Sequence, residues 1–400
     1  MKNSVLLVLG LAFLSAPVIS NPAVAAGFGA DLHFHLFMNQ GMTWWFSGNA
    51  DEPLKAKSWK NRWRSNANFE TLEKSGLKLA VIALYAHPLL VTSPRDSIRN
   101  QITQAEDFVA ASGGRWVIAR SSGEARAALT LGKRVIVLSL ERMSWILKNS
   151  NDLHEFVDDR GVSIVTFLHL MDDGFGGVAF MPGLKGFATP FAFLESLITN
   201  GLGGGLRMNP NGLTDQGREM AKSLINRQVW VDLTHSSDLS ARELMPMLEA
   251  AGQPILYTHT DLRKYFPAER GLADWQIDAV ARTGGFVGLV PTADMLDEDA
   301  AHARPCGDGH ATHLDALALS YNELAARIGA ESIGIGTDFN SPVPHMRPSC
   351  GTGTSLDTEG FWNLAQSSEL PQALRAAGAN VPANPEASLD RFLDAWARVR

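Results

Sequence analysis

The stretch "QVWVDLTHSSDLSARELMPMLEAAGQPILYTH", residues 228–259, holds the pattern that decides the fold. Two short apolar runs, 228–235 and 254–259, flank a helical pattern that ends in glycine. A strand, a helix and a second strand in this order predict two parallel strands joined by a crossover helix. Each run closes on a histidine, His235 in the first and His259 in the second.

The same alternation of strand and helix patterns extends over most of the chain. It predicts a parallel sheet of eight strands, and eight strands favour closure into a (β/α)8 barrel of the TIM type, in the α/β class. The near-continuous apolar character of several runs fits a sheet that is buried on both faces. An open doubly wound sheet is the alternative, but no Gly-x-Gly-x-x-Gly motif follows the first run. The eight runs are 28–35, 77–87, 133–141, 162–169, 228–235, 254–259, 284–291 and 332–339.

Composition bounds the kind of protein and the kind of partner. The chain has 400 residues, is 45% hydrophobic and carries a formal net charge of -7. This charge lacks the basic footprint of a nucleic-acid-binding protein, so we expect a small-molecule substrate and no nucleic acid. No internal repeat or low-complexity linker divides the sequence. We therefore predict a single domain over residues 27–400.

The first 26 residues have the pattern of an export signal. Lys2 precedes an apolar run over residues 5–14, and Ala23-Val24-Ala25 forms a small-residue cleavage site. The run is shorter than the ~20 apolar residues that a membrane-spanning helix needs. We therefore predict a signal peptide at 1–26, a mature protein that is periplasmic or secreted, and no transmembrane segment after cleavage.

The chain has two cysteines, Cys306 and Cys350, and both lie in loop-like contexts. In an oxidising compartment such a pair favours a single disulfide over two unpaired thiols. Neither cysteine has a histidine or cysteine neighbour at zinc-binding spacing, so the sequence does not indicate that they bind metal.

Polar side chains capable of binding metal recur where the predicted strands end. In a (β/α)8 barrel the carboxyl ends of the strands form the active-site face, so these side chains should meet. A single histidine at a strand end is usually structural, whereas a whole set of them favours a metal site. The set consists of His33, His35, His87, Glu141, His169, His235, His259 and Asp338.

Imidazole and carboxylate groups without cysteine suit zinc or a similar divalent metal. Four histidines and one glutamate exceed the three protein ligands of a single catalytic zinc, but they suffice for two ions if Glu141 bridges them. Two ions about 3.5–4 Å apart can share a water molecule and hold it as a nucleophilic hydroxide. Asp338 could orient that water and pass its proton to the leaving group. The predicted chemistry is metal-assisted hydrolysis.

Several motifs, in their order and spacing, resemble the membrane (renal) dipeptidase family of the amidohydrolase superfamily. They are "GLTDQGREMAKSLINRQVWVDLTHSS", "ILYTHTDLRKYFPAERGLAD" and "GIGTDFNSP", and the resemblance runs from "DLHFH" to "LDRFLDAW". It implies a (β/α)8 barrel, a binuclear zinc centre, hydrolysis of dipeptides and a homodimer. By the same resemblance His33 and His35 would bind one zinc ion, His235 and His259 the other, and Glu141 would bridge them.

The resemblance also implies roles for two residues that spacing alone does not select. His169 occupies the place of the histidine that polarises the scissile carbonyl and steadies the oxyanion. Arg270 occupies the place of the arginine that binds the terminal carboxylate of the substrate, and its planar fork suits two charge-assisted bonds. The alternative for Arg270 is a surface ion pair with Glu269 or Asp274.

Two departures from the family pattern widen the choice of substrate. The family opening is H-x-D, whereas this chain has His33-Phe34-His35, and "RMSW" after Glu141 replaces a Gly-rich continuation. An amidase, lactonase or esterase with the same metal centre is therefore the alternative to a dipeptidase. A metal-binding barrel without turnover is a third reading, which Asp338 and His169 disfavour.

One long insertion, residues 172–212, follows the fourth predicted strand. It would lie on the catalytic face, which predicts a loop that covers the substrate. A disordered connector is the alternative, but its several phenylalanines favour packing.

Overall fold

The computed structural model describes most of the mature chain. The described ranges are 28–38, 66–87, 90–181, 190–200, 206–296, 312–341 and 343–400. The predicted signal peptide therefore lies outside the described residues, and so does Cys306. Cys350 is disulfide-bonded, and Cys306 is the only other cysteine in the sequence.

Eight parallel strands close into a barrel, so the predicted (β/α)8 fold class is confirmed. The ring runs β1–β2–β4–β5–β6–β7–β8–β9 and returns from β9 to β1 through the pairing of Asp31 with Ile335. All eight predicted strands are present and shorter than their sequence patterns. Their bounds are β1 Ala30–Phe34, β2 Leu79–Leu84, β4 Arg134–Glu141, β5 Ile164–Thr166, β6 Trp230–Asp232, β7 Leu256–Thr260, β8 Phe286–Leu289 and β9 Ile333–Ile335.

A ninth strand, β3 at Trp116–Ile118, was not predicted. It pairs in parallel with the start of β4, where Trp116 lies opposite Arg134. The last residues of β4 pair with β5, where Ser139 lies opposite Ile164. Because β3 takes only the first residues of β4, it extends the sheet without opening the ring. Three residues are too few to show a strand period in the sequence.

Helices connect most strands and cover the outside of the barrel. Two of the predicted helices end at glycines with left-handed φ, Gly252 at 71° and Gly329 at 83°, as their sequences indicate. A π-helix at His154–Asp159 and 3-10 helices at Ala330–Ser332 and Leu364–Ser368 complete the connections. The α-helices are α1 Phe69–Lys74, α2 Pro94–Ala111, α3 Ser122–Thr130, α4 Ser150–Leu153, α5 Pro190–Asn200, α6 Asp215–Asn226, α7 Asp238–Ala250, α8 Asp274–Thr283, α9 His313–Ile328, α10 Leu356–Glu359, α11 Leu370–Ala376 and α12 Ala387–Trp396.

The barrel interior is built in layers. Its floor is a buried apolar cluster in which the first residues of the strands, such as Trp230 and Phe286, pack against Phe392 and Trp396 of α12. Alternate residues of a strand share a face, so Asp232, two residues beyond Trp230, points into the same interior. The layer above the apolar floor is therefore polar, and the strand ends above it carry the candidate site.

Candidate metal centre

Glu141, at the end of β4, is the centre of a cluster of histidines. The carboxylate is 2% exposed, and the ring nitrogens around it come from β1 and from the ends of β5, β6 and β7. Barrel closure thus brings together side chains that lie far apart in the sequence. Glu141 Oε1 is 3.4 Å from Nε2 of His33, 3.4 Å from His169, 3.6 Å from His235 and 3.7 Å from His259, and Oε2 is 3.4 Å from Nε2 of His35.

Asp338 follows β9 and lies beside His33 and His35 in this cluster. Its Oδ1 is 3.2 Å from Nε2 of His35 and 3.9 Å from Nε2 of His33. Asp338 has a φ of 51°, and His235 has a φ of 68°, which residues other than glycine seldom adopt. Such conformations concentrate at functional sites, where the surrounding structure holds them. Here they turn the chain sharply at the strand ends and keep both side chains at the mouth.

The spacing of the donor atoms fits divalent metal ions. Three trios have ligand atoms within 4.8 Å of one another: His33, His35 and Glu141; Glu141, His235 and His259; and His33, His259 and Asp338. Ligands of a tetrahedral ion at about 2.0–2.1 Å lie roughly 3.4 Å apart, close to the separations around Glu141. Within the described ranges, both ring nitrogens of His33 and Nδ1 of His35 are buried without a hydrogen-bond partner. The cluster could therefore hold metal.

The protonation of the cluster favours metal binding. Burial lowers the pKa of His169 to about 4 and the pKa values of His235 and His259 well below their usual range. These rings are then neutral at pH 7, the form in which imidazole binds metal. Burial tends to raise the pKa of Glu141, but His169 and His33 hold it well below its usual value, so the group is a carboxylate. Burial tends to lower the pKa of His33, but the Glu141 carboxylate raises it.

A hydrogen-bonded relay lies beneath His259. Thr258 Oγ donates to Asp232 Oδ2 at 2.6 Å and lies 3.0 Å from Nδ1 of His259. Because the hydroxyl proton goes to the carboxylate, the oxygen accepts from the Nδ1–H of His259. That tautomer leaves a lone pair on Nε2 of His259, which lies 3.7 Å from Glu141 Oε1 and 3.1 Å from Nε2 of His235. Asp232 also accepts from Thr166 Oγ at 2.7 Å and from Thr234 Oγ at 2.6 Å, so the carboxylate is held firmly.

Arg270 lies in the site and not on the surface. It is 4% exposed, and burial lowers its pKa to about 10, so it is a cation at neutral pH. Its Nε donates to Nδ1 of His235 at 3.1 Å, and its Nη2 donates to the carbonyl of His259 at 2.7 Å. Nη1 is buried and has no hydrogen-bond partner among the described residues. The alternative of a surface ion pair with Glu269 or Asp274 is wrong, because Arg270 is buried, and Asp274 pairs with Arg327.

The structure adds residues that sequence reasoning missed and leaves one candidate aside. Arg142 and Tyr85 are each 4% exposed, and the ring of Tyr85 lies 4.9 Å from His169 and 6.0 Å from His35, between centroids. A cation directly after a strand-terminal glutamate was the available signal for Arg142. His87, at the end of the second predicted strand, is not part of the three ligand trios and packs edge-on against Tyr85 at 6.3 Å.

The described parts of the long insertion pack beside the site. Ala179 donates its backbone N–H to the carbonyl of His235 at 2.8 Å. Glu269 Oε2 accepts the backbone N–H groups of Phe180 and Asn209, at 2.9 and 2.8 Å. The insertion therefore borders the wall that carries His235 and Arg270.

Comparison with known proteins identifies a family whose model matches part of this chain. Residues 192–347 match the family model described as "Membrane dipeptidase (Peptidase family M19)". The resemblance to the membrane dipeptidase family is confirmed. Dipeptidase tcpJ of Claviceps purpurea is 24% identical over 34% of this chain and 29% of its own length. An uncharacterized protein of Klebsiella pneumoniae is 23% identical over 68% of this chain and 93% of its own length. The chain thus matches less than a third of the Claviceps relative.

Solved structures share the fold. A metallo peptidase from Rhodobacter sphaeroides, liganded with a phosphinate mimic of L-Ala-D-Ala, superposes with a TM-score of 0.64 at 17% identity, covering 84% of this chain and 90% of that one. The probable dipeptidase PvdM from Pseudomonas aeruginosa gives a TM-score of 0.66 at 15% identity, covering 94% of this chain and 95% of that one.

The described part of the chain contains no helix with the length and apolar character that a membrane span requires.

Proposed function

We propose that the protein is a binuclear-zinc hydrolase that cleaves dipeptides. The observation that carries the proposal is a single buried glutamate, Glu141, shared by two ligand trios. A lone catalytic zinc normally takes three protein ligands and leaves one position open. Two trios that share a carboxylate suit two ions, and the resemblance to membrane dipeptidases supports the same centre.

In this proposal Glu141 serves both halves of the centre. His33 and His35 would form one half with Glu141, whose Oε1 is 3.4 Å from His33 and whose Oε2 is 3.4 Å from His35. His235 and His259 form the other half with Oε1, at 3.6 and 3.7 Å. Divalent ions held there would supply an activated water as the nucleophile.

The other residues bind the substrate and move the proton. Asp338, 14% exposed at its side chain, reaches the cluster from the β9 side and is the group that takes a proton from the water and passes it to the leaving amine. His169, neutral because burial lowers its pKa to about 4, is the group that donates a hydrogen bond to the developing oxyanion. Arg270 offers its unpartnered Nη1 to the terminal carboxylate of the substrate.

The proposal is tested by metal analysis of the purified protein together with a panel of L,L-, L,D- and D,D-dipeptides. We expect two metal equivalents, loss of hydrolysis after chelation and recovery on adding Zn²⁺. A Glu141→Gln variant should lose both metal and turnover, because one shared ligand loses its charge. An exposed control, Glu219→Gln on α6, should retain both. One metal equivalent at most, or no cleavage of the panel, would refute the proposal.

A second candidate keeps the metal centre and changes the substrate to another amide, a lactone or an ester. The observation that favours it is the presence of His35, a neutral ligand, 3.4 Å from Glu141 Oε2 where the resembling family has aspartate. Removing a negative charge leaves the site more positive and its bound water more acidic. Adding simple lactones and N-acyl amino acids to the panel separates the two candidates.

We further propose that the protein is exported and acts as a homodimer. The charged start, the short apolar run and the Ala23-Val24-Ala25 site support export, and the disulfide at Cys350 suits an oxidising compartment. The homodimer is supported by the family resemblance. The intact mass of the secreted protein should correspond to a chain that begins near residue 26. Light scattering should give a molecular mass twice that of this chain.

A further inference from the structure

Arg142 is a buried cation directly beside the candidate centre. It follows Glu141 with a φ of 65°, so the chain turns sharply at the end of β4. Its Nε donates to Ser144 Oγ at 2.8 Å, and its Nη1 donates to the backbone carbonyl of His169 at 3.2 Å. A guanidinium held at two points loses little further freedom when it binds a ligand.

Arg142 is held in the same manner as Arg270. In each case the backbone carbonyl of a site histidine fixes one terminal nitrogen, His169 for Arg142 and His259 for Arg270. Nη1 of Arg270 is buried without a hydrogen-bond partner in the described part of the chain, whereas the side-chain hydrogen bonds of Arg142 there use Nε and Nη1. Arg270 lies beyond the end of β7 and Arg142 at the end of β4. Two rigid guanidinium groups thus flank the cluster from different sides of the barrel.

The protein neutralises Arg142 only weakly. The carboxylate that faces it, Asp173, has Oδ2 at 3.9 Å from Nε, beyond hydrogen-bond distance. Burial also raises the pKa of Asp173, which weakens its value as a counter-ion. A buried cation without a hydrogen-bonded anion is costly, and a bound anion would remove that cost.

Tyr85 supplies a second unused donor near Arg142. Its hydroxyl is buried and has no hydrogen-bond partner within the described ranges. The ring stands between His35 and His169, with centroids at 6.0 and 4.9 Å. Arg142 and Tyr85 both lie against His169: Arg142 Nη1 donates to the His169 carbonyl at 3.2 Å, and the ring of Tyr85 is 4.9 Å from the His169 ring. A protonated hydroxyl is a hydrogen-bond donor.

We propose that Arg142 and Tyr85 form a second anion subsite, which selects substrates that carry a carboxylate in the acyl half of the scissile amide. Arg270 would bind the terminal carboxylate, so the preferred substrate is acidic on both sides of the bond. The inference rests on the proposed hydrolase function and deepens it. A guanidinium and a hydroxyl together match the two oxygens of a carboxylate, through charge-assisted hydrogen bonds.

The test compares matched dipeptides that differ only in charge: Asp-Ala with Asn-Ala, and Glu-Ala with Gln-Ala. Because hydrogen bonds to charged groups are strong, we expect the acid of each pair to have a kcat/KM about 10–100-fold higher. In an Arg142→Met variant this ratio should fall to about 1, and Arg142→Lys should give an intermediate ratio. The ratio within a pair cancels any general loss of rate caused by a shift of His169.

Arg270 offers a matched control at the other end of the substrate. In Arg270→Met the ratio between a dipeptide and its C-terminal carboxamide should collapse, while the acid-to-amide ratio in the acyl half should persist. Arg142→Met should give the converse pattern. Metal content and melting temperature of each variant show that it is folded and loaded.

Two results would overturn the subsite. The first is equal cleavage of acid and amide by the wild-type protein. The second is loss of both ratios together in Arg142→Met, which would indicate a structural role. If the wild-type protein cleaves neither peptide of a pair, that result refutes the dipeptidase function and leaves the subsite to be tested by binding. Calorimetry of peptide binding then tests the subsite. The subsite requires that the wild type bind the acidic peptide more tightly than its amide, and that Arg142→Met lose this preference.

Discussion

Replacing Thr258 by valine breaks the relay beneath His259 while nearly preserving side-chain volume. Thr258 is fully buried, and its hydroxyl lies 2.6 Å from Asp232 and 3.0 Å from Nδ1 of His259. The variant removes a hydrogen bond to a carboxylate, worth about 1.5–3 kcal/mol, and leaves a buried ring N–H unpaired, at a cost of about 1–3 kcal/mol. We expect a total loss of roughly 2.5–6 kcal/mol in the free energy of unfolding.

The same variant should weaken metal binding, because His259 loses the partner that sets its tautomer. Loss of such a partner typically lowers metal affinity by about 10–100-fold. Thr166→Val is the matched control, because Thr166 Oγ also donates to Asp232 Oδ2, at 2.7 Å, and forms no hydrogen bond to a histidine among the described residues. It should cost only about 1.5–3 kcal/mol of stability and leave metal affinity within a few-fold. Thr258→Ser should restore both properties.

The assay is titration of the metal-depleted proteins with Zn²⁺ against a chromophoric chelator, alongside denaturant unfolding. Ring ¹⁵N chemical shifts of His259 report the tautomer directly, and the relay requires the proton on Nδ1. The reasoning fails if Thr258→Val and Thr166→Val weaken metal binding equally. It also fails if the wild-type ring carries its proton on Nε2.

Three further predictions concern other parts of the chain. His35→Asp should keep two metals and move the acid limb of the rate profile to higher pH, since added negative charge makes proton loss from the bound water harder. His35→Ala should lose most of one metal equivalent. Normal metal content in His35→Ala would show that His35 is a structural residue and not a ligand. Burial raises the pKa of Glu269 from 4.5 to about 7, so the folded state holds this proton more tightly than the unfolded chain. The difference in unfolding free energy between the wild type and Glu269→Gln should therefore be largest below pH 4.5. It should fall by at most about 1.4 kcal/mol per pH unit up to pH 7. Denaturant unfolding that gives the same difference at every pH would contradict this prediction. Cys306 and Cys350 should be bridged, and titration of the unfolded, unreduced protein that finds two thiols would disprove the bond.

The sequence by itself determined the eight strands of the ring and the positions of the candidate residues along them, but not the short strand β3. Strands buried on both faces must be apolar almost throughout, so runs such as 133–141 stand out without any alignment. A metal-binding side chain at the end of such a run has one predictable place in a barrel, because all parallel strands end at the same edge. For this reason Glu141 and the histidines around it could be found before the fold was seen.

Tertiary structure alone decided how the charged and polar groups between these positions are used. Apart from the family resemblance, nothing in the sequence separates Arg270, which is buried in the site, from Arg263, which pairs with Asp238 at 2.6 Å. The direction of Arg142 depends on a left-handed turn after β4, and the Asp232–Thr258–His259 relay depends on the packing of adjacent strands. Periodicity reports which face a residue occupies, whereas hydrogen bonds depend on distances that only barrel closure sets.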